Sequence, residues 1–462
     1  MARAAGKSCA RTGDEDIKHF MSTAYVATDM LRLVEAHGDW REKEAKREMT
    51  SLHAGDYLHE VDARLQYRPG EEKIQYYGFS YGTFLGSTFA SMYPNNIHRM
   101  ILDGVVDAYD YTANLWRDNL IDTEKALNSF SYHCARVGPV GCPVAQAGAS
   151  AYNISRRVDQ ILEDIRHNPL PTLGSDPDVL LESSLRQLML HGLYSPISMF
   201  PFMAELLAVV EAGLAVGYMN QSSALPQSTI RTSVSQGHFG HTGHDEESAC
   251  LQQSSTSILR SRDPRLADNP EFALYAILCS DGDSSIQLTK SDFKLHVSDL
   301  MQLSPHAGDI WASTRLACTG WPIRAQHRFI GPWSGKTSHP ILWLGNSADP
   351  VTPVRSARKM AEGFEGSVVL EVNGTGHCSV AAPSLCTIET VRRYLSEGVL
   401  PEEGIVCQPD RLPFESGKRD GVMDEDLGLA LRADIEAQAV TAQHEIAMGL
   451  RSVGGGLVAH LF

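Results

Sequence analysis

The sequence predicts an α/β fold: a mostly parallel sheet flanked by helices, with a long helical insertion between its two halves. Three observations lead there. Short apolar runs at 73–79, 98–103, 341–345 and 368–372 have the length of buried strands, and helical patterns follow them. Strand and helix in alternation make a parallel sheet. Between the second and third runs the chain reads as successive helices. Finally, "YYGFSYGTFLGSTFA" (76–90) sets a lone Ser80 between Gly78 and Gly82 where strand gives way to helix.

Gly78-Phe79-Ser80-Tyr81-Gly82 has the pattern G-x-S-x-G, the nucleophile elbow of α/β-hydrolases. A strand that reverses sharply into a helix leaves no room for side chains at the two glycines, so the serine takes a strained backbone with its hydroxyl exposed. The pattern alone also describes a plain glycine-flanked turn. Its context favours the elbow, with a strand before it at 73–79 and a small-residue helix after it, ending near Pro94.

With 462 residues, 43% hydrophobic and 21% charged, the chain is long enough for one large domain with an insertion, or for two domains. Its formal net charge of -16 and pI of about 5.5 leave no electrostatic footprint for nucleic acid or an anionic membrane. No apolar stretch reads as long enough to span a bilayer, and the start "MARAAGKSCARTGDED" lacks an apolar signal region, so the chain as written is not exported. The nine cysteines point the other way. Cys134 and Cys142 flank a tight loop, Cys386 and Cys407 bracket the last core helix, and both pairs have the spacing of disulfide staples or, alternatively, are buried free thiols. Sequons at Asn153, Asn220 and Asn373 add weak support for a secretory history.

The first helix is expected over 14–38, ending at Gly38, and the charged stretch 39–72 as a solvent-facing helical approach to the elbow strand. After the second strand come helices at 114–136, 152–167, 177–193, 201–218 and 270–279, with no competing strand pattern. This is where a lid would sit. Residues 221–263, rich in Ser, Gln, Thr, Gly and His, read as a loop; His238, His241 and His244 within it are either a metal site or, by preference, solvated side chains. The sheet resumes at 341–345, with helices starting near Pro353 and over 383–397, and 424–450 reads as a further amphipathic helix. The expected division is 1–107 first part of the core, 108–330 cap, 331–416 second part of the core, and 417–462 a C-terminal helical extension.

A serine hydroxyl becomes nucleophilic only when a base takes its proton, and the base needs an acid to fix its tautomer. In this fold the three follow in the order Ser, Asp, His, on loops after core strands. Asp349 follows the strand at 341–345 and His377 the strand at 368–372. Singly, Asp349 is equally a helix cap and His377 a loop histidine. Jointly with Ser80, at strand ends where ligands bind open parallel sheets, they make a triad, with Asp103 the rival acid.

Five motifs in order, "YYGFSYGT", "RMILDGVVD", "AILCSDGD", "WLGNSADPVTP" and "GTGHCS" with a following "LC", resemble the tripeptidyl aminopeptidase-like branch of the α/β-hydrolases, relatives of proline iminopeptidases, over about 24–410. The resemblance implies a serine exopeptidase removing short peptides or residues from free N-termini, under a helical cap, in a secreted disulfide-bonded protein. It implies Ser80 as nucleophile, Asp349 as acid and His377 as base, and makes Cys279 and Cys318 a cap-to-core disulfide. Asp281 or Asp283 is the candidate for binding a substrate ammonium, although a surface turn is the plainer reading of both. One oxyanion donor is the backbone N–H of Tyr81. The family's second comes from a His-Gly-Gly-Pro-Gly-like loop, and nothing like it lies within 1–39; Gly454, Gly455 and Gly456 are at the wrong end. The opening strands, oxyanion loop and signal peptide are therefore expected to be missing, through an incomplete gene reading, a degenerate protein, or an edge rebuilt from 39–72 and the C-terminal tail.

The expected chemistry is acyl transfer to water from a small peptide, ester or amide substrate, with no metal or organic cofactor. Two other readings stand beside the peptidase. An ester or lactone hydrolase acting on a small metabolite would use the same triad under a different cap. A non-catalytic protein that keeps an inherited pocket is the third.

Overall fold

The structure is a computed structural model and describes residues 2–9, 17–52, 64–173, 178–220, 270–282 and 288–415. Its strands, in chain order, are β1 (Ile74–Phe79), β2 (Ile97–Asp103), β3 (Leu170–Leu173), β4 (Asp178–Leu180), β5 (Met219–Asn220), β6 (Leu342–Ala348), β7 (Val368–Thr375) and β8 (Val406–Cys407). The main sheet has the order β1-β2-β6-β7-β8, and every neighbouring pair is parallel. This is the α/β-hydrolase arrangement. The ends of β1 and β2 are level, Phe79 pairing with Asp103, while Asp103 pairs with Leu344 and β6 runs on to Ala348, which pairs with Thr375 of β7. Ser80, Asp349 and His377 thus leave the sheet at one end, each on the loop after its strand.

Burial grades across the sheet. All of β6 is buried, as a central strand covered on both faces must be. In β1 only Gly78 is fully buried, and β1 is the sheet's edge among the described residues. The expectation of an edge rebuilt from 39–72 fails for the part described. Residues 39–52 continue a helix, 64–73 form turns, and neither adds a strand beside β1. The C-terminal tail, the expected helix at 424–450 and the Gly454–Gly456 run lie outside the described residues.

After a short helix at Ala2–Cys9, the helix expected over 14–38 runs Thr23–Leu52, so Gly38 is no terminator. A Cβ there would stand 2.5 Å from Glu72 Cδ, so the Glu72 side chain would have to shift. Glu72 in turn holds Arg41 on the same helix at 2.8 Å. The helix after the elbow, Tyr81–Met92, crosses β1 closely. A Cβ on Gly78 would lie 2.5 Å from the carbonyl oxygen of Gly82, and one on Gly86 2.5 Å from Leu102 Cδ2, whereas at Gly82 the nearest atom is 3.2 Å away. Of the two motif glycines, Gly78 carries the steric demand, and Gly86 shares it without belonging to the motif.

Between β2 and β6 lie the helices Thr123–Gly141, Ala151–His167, Glu182–Gly192, Pro196–Val216 and Pro270–Asp281. One apolar cluster joins most of them through Phe130, Ile161, Leu185, Phe200 and Leu207, while Leu274, Cys279, Trp321 and Trp333 pack with the sheet instead. The expectation that no strand competes with these helices was wrong. Pro171 and Val179 sit in β3 and β4, whose antiparallel pair, extended by β5, makes a small second sheet. These strands are too short to show period-two alternation. Sequence reasoning also passed over Lys290–Leu303, although Thr289 and Asp292 form the capping box that opens it.

Pro196–Val216 is 21 residues long and apolar enough to cross a membrane by length and composition, contrary to the reading that no stretch qualifies. It buries Phe200, Met203, Leu206, Leu207 and Val210 in the apolar cluster that joins these helices.

Among the described residues, three disulfides join Cys134 to Cys142, Cys279 to Cys318 and Cys386 to Cys407. The second ties the end of Pro270–Asp281 to the helix Ser313–Cys318. Asn153 sits in a helix capping box with Ser150, its Oδ1 accepting from the Ser150 N–H at 3.0 Å. Asn373 is exposed on β7.

Gly78→Ala should destabilise the fold by about 1–3 kcal/mol through overpacking against a backbone oxygen that has no rotamer to retreat into. Chemical denaturation would read this as a lower midpoint with an unchanged slope; an unshifted midpoint would show that β1 and the elbow helix have slack.

Candidate active site

Ser80 occupies φ 54°, ψ -124°, a region L-residues seldom adopt. The backbone holds it there through the Ser80 N–H, which donates to the carbonyl oxygen of Asp103 at 3.0 Å, and through the Thr83 N–H, which donates to the Ser80 carbonyl at 2.7 Å. The Tyr76 hydroxyl secures the next turn by donating to the Gly82 carbonyl at 2.7 Å. Strain at one residue is thus supported by bonds to β2 and to the helix on either side.

Asp349 is wholly buried and collects donors from two loops. Its Oδ1 accepts from the Val351 N–H at 3.0 Å and the Thr352 N–H at 2.8 Å, and its Oδ2 from the Thr352 hydroxyl and the Cys378 N–H, both at 2.8 Å. His377 Nδ1 lies 3.1 Å from both oxygens. A carboxylate only accepts, so Nδ1 is the donor in this contact and Nε2 is left for another partner. Capping and orienting a histidine are therefore both done by Asp349.

Asp103, the rival acid, is engaged elsewhere. Its oxygens accept from the Ser379 N–H at 2.8 Å, the Ser379 hydroxyl at 2.6 Å and the Tyr77 hydroxyl at 3.2 Å, and it makes no bond to His377. Its backbone is what matters to the site. The carbonyl that takes the Ser80 N–H also lies 3.4 Å from Cys378 Sγ, setting the elbow beside the histidine loop. Ser80 Oγ and His377 Nε2 are both buried, and neither has a hydrogen-bond partner among the described residues. The structure does not join them directly.

Residues from between β2 and β6 frame this pair. The Tyr194 carbonyl accepts from the His377 N–H at 3.0 Å, and the two rings meet edge to face with centroids 5.0 Å apart. Asn119 Nδ2 donates to the Val351 carbonyl at 2.8 Å, the Thr123 hydroxyl to the Pro350 carbonyl at 2.6 Å, and Lys125 Nζ to the Ser347 carbonyl. The loop carrying Asp349 and the end of β6 before it are thus held at three points by residues 119–125.

Cys378 is a free, buried thiol at φ 63°. Burial, together with the charges of Asp103 and Asp349, pushes its thiol well above the ordinary range. Asp349, His377 and Cys378 bring possible ligand atoms within 4.8 Å of one another. Metal binding there would need a thiolate, which the surroundings oppose, and a carboxylate already engaged by the donors above. His238, His241 and His244 lie outside the described residues.

Asp281 is not on a surface turn. It is 4% exposed; its Oδ1 accepts from the Thr23 N–H at 2.9 Å, and its Oδ2 from the Thr23 hydroxyl at 2.5 Å and the Tyr111 hydroxyl at 3.3 Å. It serves as a remote cap on the first turn of Thr23–Leu52, where the helix dipole favours an anion. Burial pushes its carboxyl up to about 6 despite these bonds. Asp283 lies outside the described residues. Nothing in the sequence linked Asp281 to Thr23, because 258 positions separate them.

Burial likewise raises Asp103 to about 6; the Ser379 bonds oppose the rise, and the charge of Asp349 adds to it. A carboxyl that holds its proton more tightly when folded than at its ordinary 3.8 stabilises the fold below that value, and the benefit is lost as pH rises through about 6. Asp103→Asn should remove this contribution. Urea midpoints measured from pH 4 to 7 should decline less with rising pH in the variant than in the wild type; equal slopes would mean that Asp103 does not titrate in this window.

Comparison with known proteins agrees with the architecture. Residues 304–407 match the family model described as TAP-like protein. The chain is 25% identical over 347 residues to serine protease Hip1 of Mycobacterium tuberculosis, covering 73% of this chain and 58% of the relative. It is 27% identical over 360 residues to the putative hydrolase YuaR of Escherichia coli, covering 75% and 60%, and 22% identical over 354 residues to tripeptidyl aminopeptidase of Streptomyces lividans, covering 74% and 56%. The matched region thus spans less than two thirds of each of these relatives. Parallel sheet and elbow give the chain the α/β-hydrolase fold, and its sequence is similar to TAP-like proteins over 304–407 and to these relatives beyond it.

Proposed function

We propose that this chain is a serine hydrolase of the peptidase kind, with Ser80 as nucleophile, His377 as general base, Asp349 as the acid that orients and stabilises the imidazolium, and the Tyr81 N–H as one oxyanion donor. The observation that carries the reading is the His377 Nδ1 contact with both oxygens of a buried, fully supported Asp349, which leaves Nε2 unpartnered beside the elbow of an equally unpartnered Ser80 Oγ. His377 Nε2 takes the Ser80 proton as Oγ attacks the carbonyl carbon. The tetrahedral oxyanion forms against the Tyr81 N–H. The leaving amine takes the proton from His377, and water then repeats the sequence on the acyl-enzyme. The domain scheme of a core in two parts under a cap belongs to the same proposal.

The proposed substrate is a peptide with a free N-terminus, by likeness to relatives named as a serine protease and a tripeptidyl aminopeptidase. A second reading, a small-metabolite esterase, draws support from Asp281. Both its oxygens are already occupied, so it is not offered as the anchor for a substrate ammonium.

A fluorophosphonate probe should label the wild-type chain and fail to label Ser80→Ala; equal labelling of both would remove Ser80 from the mechanism. Asp349→Asn should lower kcat by about 10⁴-fold, since the wrong histidine tautomer is then favoured. Turnover of free-amine peptide amides well above that of N-blocked ones would support the aminopeptidase, and equal cleavage of blocked esters the esterase.

A further inference from the structure

We infer that Thr23 and Asp281 are positioning residues that lock Tyr81, and with it the oxyanion-binding N–H, from a part of the chain remote from the elbow. The inference rests on the reading of Ser80 as nucleophile, because only then does the next residue's N–H face the reacting oxygen.

Direction follows from proton counting. The Thr23 hydroxyl has one proton, and its oxygen lies 2.5 Å from Asp281 Oδ2. An ionised carboxylate only accepts, so that proton points to Asp281. The Tyr81 hydroxyl, 2.6 Å from the same Thr23 oxygen, must then be the donor. The result is a directed chain in which Tyr81 donates to Thr23 and Thr23 to Asp281. Thr23 is 1% exposed and Asp281 4% exposed, so water is a poor substitute for either partner.

The anchor is itself fixed. Asp281 ends the helix Pro270–Asp281, two residues beyond the cysteine bonded to Cys318, and its carbonyl accepts from Arg328 Nη2 at 3.1 Å. Its charge is balanced by Arg328 and by the first N–H groups of Thr23–Leu52. The Tyr81 ring stands 6.2 Å from both Phe84 and Tyr111, which stack on each other at 4.1 Å, so the side chain is walled as well as tethered. Tyr81 opens the helix Tyr81–Met92. A tether on its side chain limits rotation of the peptide unit joining it to Ser80, which aims the N–H. Preorganised donors act because they need no reorientation as charge develops.

The test uses the full chain with Tyr81→Phe, Thr23→Val and Asp281→Asn. Each keeps its side-chain volume nearly constant. The readouts are kcat and KM on a free-amine peptide amide and on a small uncharged ester, and hydrogen exchange of the peptide spanning 78–84. The expected result is a kcat lowered on the order of tenfold on both substrates, less than the hundred- to thousand-fold of losing a donor outright, with KM little changed and exchange at 78–84 faster. Rescue in Thr23→Ser, which restores the hydroxyl, would support the tether specifically. Unchanged kcat and exchange in folded variants would overturn the inference. So would an Asp281→Asn effect confined to KM for the free-amine substrate, which would make Asp281 an ammonium anchor. If wild-type labelling proves independent of Ser80, the nucleophile assignment fails and the catalytic half of this inference with it, while exchange still reports on the tether.

Discussion

The site depends on how one buried carboxylate is satisfied. Asp349 sits one residue beyond β6, where ionisation would be costly without donors, and donors from its own loop and from the histidine loop supply them. Two strand ends are joined at a single side chain, and His377 is placed as part of the same arrangement. The carboxylate that orients His377 also holds the two loops together. Removing it would loosen geometry and chemistry at once, so the site should tolerate change there less than at any exposed position.

The same economy appears on the serine side. A non-glycine residue at φ 54° persists only if its surroundings over-determine it. Here they do so through the Asp103 carbonyl behind it, the Thr83 N–H ahead of it, and the absence of a side chain at Gly78 and Gly86. Close approach of helix to strand is the geometric means. The Asp103 carbonyl serves both loops, and the Asp103 side chain, which sequence order makes a possible triad acid, is occupied by Ser379.

Much of this was legible in the chain. Chemistry written in local patterns could be read locally: a strand, a small-residue turn and a helix around Ser80, and polar turns after the apolar strands that precede Asp349 and His377. What escaped depends on pairs distant in sequence. Gly38 looks like a helix stop because glycine usually is one, yet the helix runs on and Glu72 folds back on it there. Asp281 looks like a turn residue in "CSDGD" because nothing local says that a threonine 258 positions earlier will need a cap. The short strands of the second sheet carry no period of their own, since pairing rather than pattern makes them strands.

The segment between β2 and β6, the proposed cap, explains why distance in sequence matters so much here. Three of its polar side chains grip the Asp349 loop and the end of β6 before it, Tyr194 rests against His377, and Asp281 secures the residue beside Ser80 through Thr23. Each of the three proposed catalytic residues is therefore supported by a segment from between β2 and β6. A cap that only covered the sheet could vary without touching the chemistry. One that bonds to the backbone of the acid loop, the ring of the base and the neighbour of the nucleophile is part of the machinery's support, so changes of specificity made in it would be expected to carry a cost in rate.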